Sequence, residues 1–255
     1  MYNTVLGAKP LKSDGSAFYY SDYTFNGRQT YSNHRWPCCS GTLPQVAADH
    51  HINVYFHDGH GLYVNLYIPS TLEWSIGGAR VQLSQAGEYP FETSVQLELK
   101  MSRPAEFALH LRIPPWAQDA TVSVNGTRQR LPPVPGTFAH VIRTWRTGDR
   151  VELELPMRMR LAQVDPQHPD TVALLCGPLV LFAIGPTATG ITRKHLLAAE
   201  RVTSGRWKIE TGNGSVSMLS FLMIDDEEYL TYLRVTQRQI DFPDRFRTAS
   251  FLIRT

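Results

Sequence analysis

Two adjacent cysteines, Cys38 and Cys39, are the residues whose type and spacing best suit chemistry. Just after them, residues 42–45 match a capping box, with threonine at the N-cap, proline in the first turn and glutamine at the third helical position. We therefore predict a helix over residues 42–51. The positive end of a helix dipole favours a thiolate, which is both a nucleophile and a ligand for soft metals. Zinc takes about four ligands, so the two sulfurs would supply half of a zinc site.

The sequence leaves other interpretations of the cysteine pair open. The two residues could be small buried side chains of a loop, a vicinal disulfide or a redox-responsive dithiol. His34 and Trp36 lie beside the pair and are the candidate substrate-binding residues. The third cysteine, Cys176, lies in an apolar run and is interpreted as a packing residue.

Other polar clusters are better explained by solvated turns than by sites. His50 and His51 come at the end of the predicted helix, where cations are favoured, while His57 and His60 flank an Asp-Gly turn; a metal site built from these histidines is the alternative. The acidic run 225–228 lacks the spaced oxygens of a calcium loop, so we predict a solvated loop. No pair of carboxylates stands out as the two acids of a glycosidase.

Most of the chain alternates between apolar and polar residues, which predicts half-buried antiparallel strands. The alternation is clearest over four segments, 62–68, 95–101, 107–113 and 151–157. A nearly continuous apolar run over 171–185 is broken by Gly-Pro and predicts two buried strands, and 217–235 predicts a further strand pair. Residues 1–37 predict an irregular loop with one short strand, and 186–214 show little pattern. The fold class is therefore mainly β, an antiparallel β-sandwich of jelly-roll type.

Composition excludes several classes of protein. The 255 residues carry 25 Lys and Arg against 23 Asp and Glu, a formal charge of +2, which argues against nucleic acid as the main partner. No apolar stretch approaches the length of a membrane-spanning helix. Three cysteines are too few for a disulfide scaffold. No secretory signal follows Met1, and the sequence leaves the cellular location open.

The order of the motifs resembles the C-terminal part of glycoside hydrolase family 127, the β-L-arabinofuranosidase family. The resemblance covers about residues 1–185 and is looser afterwards. It is carried by ordered motifs: Tyr2-Asn3-Thr4-Val5-Leu6, Trp36-Pro37-Cys38-Cys39-Ser40-Gly41-Thr42, Gly61-Leu62-Tyr63-Val64-Asn65-Leu66-Tyr67-Ile68-Pro69-Ser70, Leu111-Arg112-Ile113-Pro114-Pro115-Trp116, Val124-Asn125-Gly126, Arg143-Thr144-Trp145-Arg146-Thr147-Gly148-Asp149, Leu155-Pro156-Met157 and Gly177-Pro178-Leu179-Val180.

This resemblance implies a domain order and a mechanism. Residues 1–51 would be the remnant of an (α/α)6-barrel catalytic domain, and residues 52–255 a β-sandwich region of one or two subdomains. Cys38 would be the nucleophile and a zinc ligand, and Cys39 a second zinc ligand. A glutamate and a further cysteine from an earlier barrel segment would complete the zinc site, and another glutamate would be the acid/base.

The sequence departs from this pattern upstream of the cysteines. No glutamate precedes Glu73, and no Glu-x-Cys motif precedes Cys38. We therefore expect a fragment that binds zinc weakly, is inactive alone, lacks its barrel partner and exposes an apolar face of the sandwich. The parent substrate would be an arabinofuranoside-like or related glycan.

A non-catalytic carbohydrate-binding or structural module is the alternative function. Aromatic side chains would then either stack on sugars or close the core of the fold. The candidates are Trp36, Trp74, Trp116, Tyr63 and Tyr67.

Overall fold

The computed structural model describes residues 17–20, 29–32, 45–46, 48–130, 133–185 and 189–236. Over these residues the chain is mainly β, which confirms the predicted fold class. The strands, in chain order, are β1 Ala17–Tyr20, β2 Gln29–Ser32, β3 Tyr55–His57, β4 Gly61–Val64, β5 Ser70–Ile76, β6 Ala79–Ala86, β7 Ser94–Met101, β8 Ala105–Arg112, β9 Thr121–Val124, β10 Thr127–Arg128, β11 Phe138–Trp145, β12 Arg150–Glu154, β13 Met159–Gln163, β14 Thr171–Cys176, β15 Leu179–Ile184, β16 Glu200–Thr203, β17 Arg206–Thr211, β18 Gly214–Ser220, β19 Tyr229–Leu230 and β20 Leu233–Arg234.

Two sheets enclose the first hydrophobic core. One has six strands in the order β10-β9-β12-β7-β6-β5, and the other has four in the order β11-β8-β4-β3. Every second residue of their strands points inward, as the alternation predicted. The core includes Leu62, Leu83, Leu97, Leu109 and Leu153. The β-sandwich is therefore confirmed, while jelly-roll connectivity stays a prediction.

One strand pair departs from the antiparallel prediction. β4 is antiparallel to β3 but parallel to β8, with Leu62 opposite Leu109. The chain between β4 and β8 crosses to the six-stranded sheet and returns, so β8 runs in the direction of β4. The predicted strand 62–68 also stops early, because the N–H groups of Asn65 and Leu66 both bond to the carbonyl of Val54.

A second hydrophobic core lies in the C-terminal half. Eight strands, β13 to β20, form one sheet with apolar clusters on its two faces. Burial of both faces explains the continuous apolar run over 171–185. That run folds as the antiparallel hairpin β14–β15, with Gly177 at a φ of +54° in its turn, as predicted.

Elsewhere in this half, the sequence pattern predicted strand pairing and element positions less well. The strands within 217–235 do not pair with one another, since β18 joins β15 and β17, β19 joins β15, and β20 joins β14. Residues 186–214, which show little pattern, contain β16, β17 and the short helix Arg193–Leu197, capped by the Thr192 hydroxyl. A five-residue helix is too short to produce a helical period.

The N-terminal residues are described only in part. β1 and β2 pair in antiparallel register, where the sequence predicted one short strand. Residues 45–46 and 48–52 are helical, which confirms the predicted helix over its described part. The assignment of residues 1–51 to a barrel remnant and of 52–255 to one or two subdomains stays a prediction.

Candidate functional site

The predicted site residues His34, Trp36, Cys38 and Cys39 all lie outside the described residues. Their roles therefore stay predictions. Cys39 precedes the first described helical residue, Gln45, by six positions in the sequence.

The helix that follows the cysteine pair is anchored to the four-stranded sheet. At its C-terminal end the N–H of Asn53 donates to the carbonyl of His50 at 3.1 Å, and the Asn53 side chain donates to Asp49 at 2.7 Å. Asn65, just after β4, donates from its side chain to the carbonyl of Asn53 at 2.9 Å. Since β3 begins at Tyr55, the described helix joins this sheet at its edge strand.

A cluster of rings lies on the outer face of the four-stranded sheet. Tyr63 of β4, His110 of β8 and His140 of β11 occupy one row, because Tyr63 pairs with His110 and His110 with His140. The rings of Tyr63 and His110 stack at a centroid distance of 4.0 Å, and Phe138 meets Tyr63 edge-on at 5.4 Å. His110 is only 8% exposed, although its neighbours Leu109 and Leu111 point into the opposite, sandwich side.

The two imidazoles of this cluster share one hydrogen bond. Their Nδ1 atoms lie 2.5 Å apart, so one must donate and the other accept. Burial of the ring, followed by repulsion from His140, lowers the pKa of His110. Both effects favour the neutral form of His110. The hydrogen bond between the two rings adds a side-chain link between β8 and β11.

Asp58 closes one end of the cluster. It accepts hydrogen bonds from the backbone N–H groups of His60 and Gly61, each at 2.8 Å, and from the Tyr63 hydroxyl at 3.0 Å. These bonds, with the one from His60 contributing most, hold the pKa of Asp58 below its usual value. The bond between Asp58 and the Tyr63 hydroxyl raises the pKa of Tyr63. Asp58 thereby orients the Tyr63 ring against His110.

Large apolar side chains are exposed on the same outer face. Phe56, opposite Tyr63 in β3, is 47% exposed, and Ile142, opposite Ala108 in β11, is 70% exposed. They lie on the two edge strands of the sheet, β3 and β11, with the ring cluster between them. The expectation of a continuous apolar face therefore stays a prediction.

The remaining predicted polar clusters are largely exposed to solvent. His51, His57 and His60 are exposed, and no three His, Cys, Asp or Glu residues within the described ranges come together as a metal site. Asp225, Asp226 and Glu228 are exposed, as expected of a solvated loop. Cys176 is a free, buried thiol, and burial raises its pKa, so its prediction as a packing residue is confirmed.

The described candidate aromatics, apart from Tyr63, close the core rather than offer a sugar platform. Trp74 and Trp116 pack against the first hydrophobic core, and Trp74 meets the Phe107 ring edge-on at 5.4 Å. Tyr67 is buried, and its hydroxyl donates to the carbonyl of Arg112 at 2.5 Å. The stacking alternative therefore has little support among these side chains.

One family motif turns out to join the two sheets. The segment 143–149 ends β11 and leads to β12 in the other sheet. Within the four-stranded sheet, the buried indole N–H of Trp145 donates to the carbonyl of Phe107 at 3.0 Å. Asp149 accepts from the Asn125 side chain and from the N–H of Arg146, each at 2.8 Å. These motif residues serve the scaffold.

Sequence reasoning missed the His110–His140 pair and the Asn125–Asp149 bond. The available signal for His110 was a histidine on the polar side of a clear strand, but its partner lies 30 positions away. Asn125 and Gly126 form the Asn-Gly dipeptide typical of a hairpin turn, and Asn125 has the positive φ, 50°, that such a turn requires. Its side-chain partner depends on how β9 and β12 pair.

Residues 61–157 match the model of a family described as beta-L-arabinofuranosidase, GH127 middle domain. No curated protein matches the chain. None of the helices within the described ranges is long and apolar enough to cross a membrane.

Several solved structures share the fold. A GH127 beta-L-arabinofuranosidase from Geobacillus stearothermophilus T6 aligns with a TM-score of 0.64 at 22% identity, over 78% of this chain and 38% of that one. A protein described as a glycoside hydrolase aligns with a TM-score of 0.68 at 22% identity, over 92% and 47%. A GH127 beta-arabinofuranosidase aligns with a TM-score of 0.66 at 19% identity, over 91% and 44%.

This chain thus spans less than half the length of each of these proteins. The matched residues 61–157 include the two sheets of the sandwich from β4 to β12. The resemblance inferred from the motifs is confirmed: residues 61–157 match the GH127 middle domain, and the chain has the fold of part of a GH127 protein.

Proposed function

We propose that this chain is part of a retaining glycoside hydrolase that acts on arabinofuranoside-like or related glycans. The observation that carries the proposal is the match of residues 61–157 to the GH127 middle domain, because it falls within the longer series of family motifs. The likeness in fold to two GH127 arabinofuranosidases supports the same family.

Cys38 is the proposed nucleophile. Its thiolate attacks the anomeric carbon, so a carbon–sulfur bond forms as the glycosidic carbon–oxygen bond breaks, and a carboxylic acid gives its proton to the departing oxygen. Water then attacks the same carbon, gives its proton to that carboxylate and releases the thiolate. His34 and Trp36, close in sequence, are the proposed contacts to the sugar.

Cys38 and Cys39 are the proposed zinc ligands within this chain. Two thiolates fit the preference of zinc for sulfur, but they fill only about half of its usual four positions. When bound, zinc would supply a lowered thiol pKa. We propose that two further ligands and the acid/base carboxylate come from another part of a larger protein, since no glutamate precedes Glu73 in this sequence. The 255 residues alone are then inactive.

The partner proposed for this chain is that other part, an (α/α)6 barrel. The outer face of the four-stranded sheet is the proposed contact surface, because it exposes Phe56 and Ile142 beside the ring cluster. The described helix after the cysteine pair leads into β3, the edge strand of this sheet.

The test is to produce the chain joined to the polypeptide encoded in frame upstream, and to measure zinc content and hydrolysis of an aryl arabinofuranoside. We expect activity in the joined protein, none in the 255 residues alone, and loss of both zinc and activity in Cys38→Ser. Cys176→Ser is the matched control, because this thiol is buried and outside the proposed site. Activity retained in Cys38→Ser would exclude the assignment of the nucleophile.

A further inference from the structure

A groove of about 720 Å³ crosses the solvent face of the six-stranded sheet. It spans four neighbouring strands, β9, β12, β7 and β6, whose three spacings of about 4.8 Å give a length of roughly 14 Å. Its polar side chains come from alternate positions of these strands, opposite the residues that face the core. They are Ser84, Gln96, Glu98, Ser123, Arg150 and Glu152.

The lining offers both hydrogen-bond donors and acceptors. The Gln96 amide and the Ser123 hydroxyl form no side-chain hydrogen bond within the described part of the chain. Glu98 lies 3.6 Å from Arg150, and Glu152 accepts a long bond of 3.4 Å from Ser94. Amide, hydroxyl, carboxylate and guanidinium groups therefore face the groove with much of their bonding capacity available.

These groups select for a neutral, polyhydroxyl ligand. A phosphate or a polyanion would meet the carboxylates of Glu98 and Glu152 with only Arg150 as a counter-charge. An apolar ligand would leave the polar groups without partners, which costs free energy. Hydroxyl groups of a sugar can donate to the carboxylates and accept from the amide and guanidinium.

The rim of the groove is held in place before any ligand binds. Asn125, at one end, donates to Asp149 at 2.8 Å and accepts from the N–H of Arg150 at 2.8 Å. Both ends of β12 are thus bonded to neighbouring chain, since Leu155 donates its N–H to Thr93 at 2.8 Å. Preorganisation of this kind lowers the entropy lost on binding.

We propose that this groove is a binding site for neutral oligosaccharides, formed by residues other than those of the proposed cysteine site. It binds by hydrogen bonds, since no aromatic side chain lines it. The dissociation constant is then weak, of order 1 mM. Binding at this sheet face does not require the proposed hydrolase activity.

The experiment titrates the full chain with arabinotriose, xylotriose and trigalacturonate, and measures affinity by calorimetry or ligand-observed NMR. We expect binding of at least one neutral trisaccharide and at least tenfold weaker binding of the anionic one. Gln96→Ala and Glu152→Gln should each weaken the neutral ligand about fivefold or more. Gln82→Ala is the matched control, because Gln82 lies on the same face but outside the groove.

Two further measurements keep the test decisive. Thermal unfolding of each variant shows whether the change is confined to the surface. Cys38→Ser should bind the neutral sugar as the unchanged chain does, which separates this site from the proposed nucleophile. Absence of binding at 10 mM, taken as about tenfold above the expected constant, or equal weakening by Gln82→Ala, would overturn the proposal.

Discussion

Replacing Asp149 with asparagine should destabilise the sandwich strongly, although the side chains have the same shape. Asp149 is 7% exposed and accepts from the Asn125 amide and from the Arg146 N–H, each at 2.8 Å. In Asp149→Asn an amide NH2 replaces one of the two carboxylate oxygens, so it faces another donor, either the Asn125 amide or the Arg146 N–H. Asn125 cannot compensate by rotating its amide, because its Oδ1 already accepts from the N–H of Arg150 at 2.8 Å.

The magnitude follows from these contacts. Losing one hydrogen bond to a charged group costs about 1.5–3 kcal/mol, and the buried donor left without a partner adds about 1 kcal/mol or more. The ion pair of Asp149 with Arg143, at 3.8 Å, adds little because Arg143 is partly exposed. We expect the free energy of unfolding to fall by about 3 kcal/mol. With a urea slope of about 2 kcal/mol/M, the midpoint falls by about 1.5 M.

The pH dependence of this effect has a definite sign. Burial raises the pKa of Asp149, but the bonds from Asn125 and Arg146 and the charge of Arg143 outweigh it, so the pKa is lowered overall. A lowered pKa contributes stability that is present above the unfolded value of about 3.9 and is lost as pH falls through the folded pKa. The difference between the unchanged chain and Asp149→Asn should therefore shrink below about pH 4.

Urea unfolding, followed by tryptophan fluorescence at pH 7 and at pH 3, measures the loss of unfolding free energy and its dependence on pH. Asp119→Asn is the control, because Asp119 pairs with Arg158 on the surface, where such pairs contribute at most about 1 kcal/mol. Equal unfolding midpoints for the two variants at pH 7 would refute the assignment of Asp149 as the central acceptor.

Three further changes test the packing and the surfaces. Gly61→Ala should lower the melting temperature strongly or prevent folding, because the new Cβ would lie 2.2 Å from the carbonyl oxygen of Ala108 in the parallel strand β8. Gly59→Ala is the control: its Cβ would have nothing within 4 Å, so the same thermal scan should show little change. Exposed apolar side chains on the four-stranded sheet should make the chain self-associate. Ile142→Asp should reduce this self-association, measured by sedimentation, more than Val202→Asp does; equal effects would argue against a specific apolar face. In a variant that keeps Cys176 as its one cysteine, a thiol reagent should react slowly until denaturant is added, since burial raises the pKa of that thiol, and fast reaction of the folded chain would contradict this.

The alternation of residue types was enough to predict the strands that face one core. Along β7 and β8, each second side chain is buried in the first core, so the local pattern records the final environment directly. The turn at Asn125 and the break at Gly177 were also predictable, since positive φ restricts the residue types at such positions. The family resemblance rested on motifs that now have structural roles, among them the indole bond of Trp145.

The ring cluster and the groove could not be predicted in this way, because their residues come from separate strands. His110 and His140 belong to strands that meet only once β8 and β11 have paired, and the groove exists only because β9, β12, β7 and β6 lie in that order. The parallel pairing of β4 with β8 likewise depends on a crossing to the other sheet.

The sequence by itself determined the mainly β class, the side of each clear strand that faces the core, and the candidate roles of Cys38 and Cys39 as nucleophile and zinc ligands. Only the tertiary structure decided which strands are neighbours, which polar side chains meet on the outer faces and that the half-buried Trp74 packs against a core. The physical reason is that alternation is set by each strand's own contact with the core, whereas pairing is set by contacts between residues far apart in the chain.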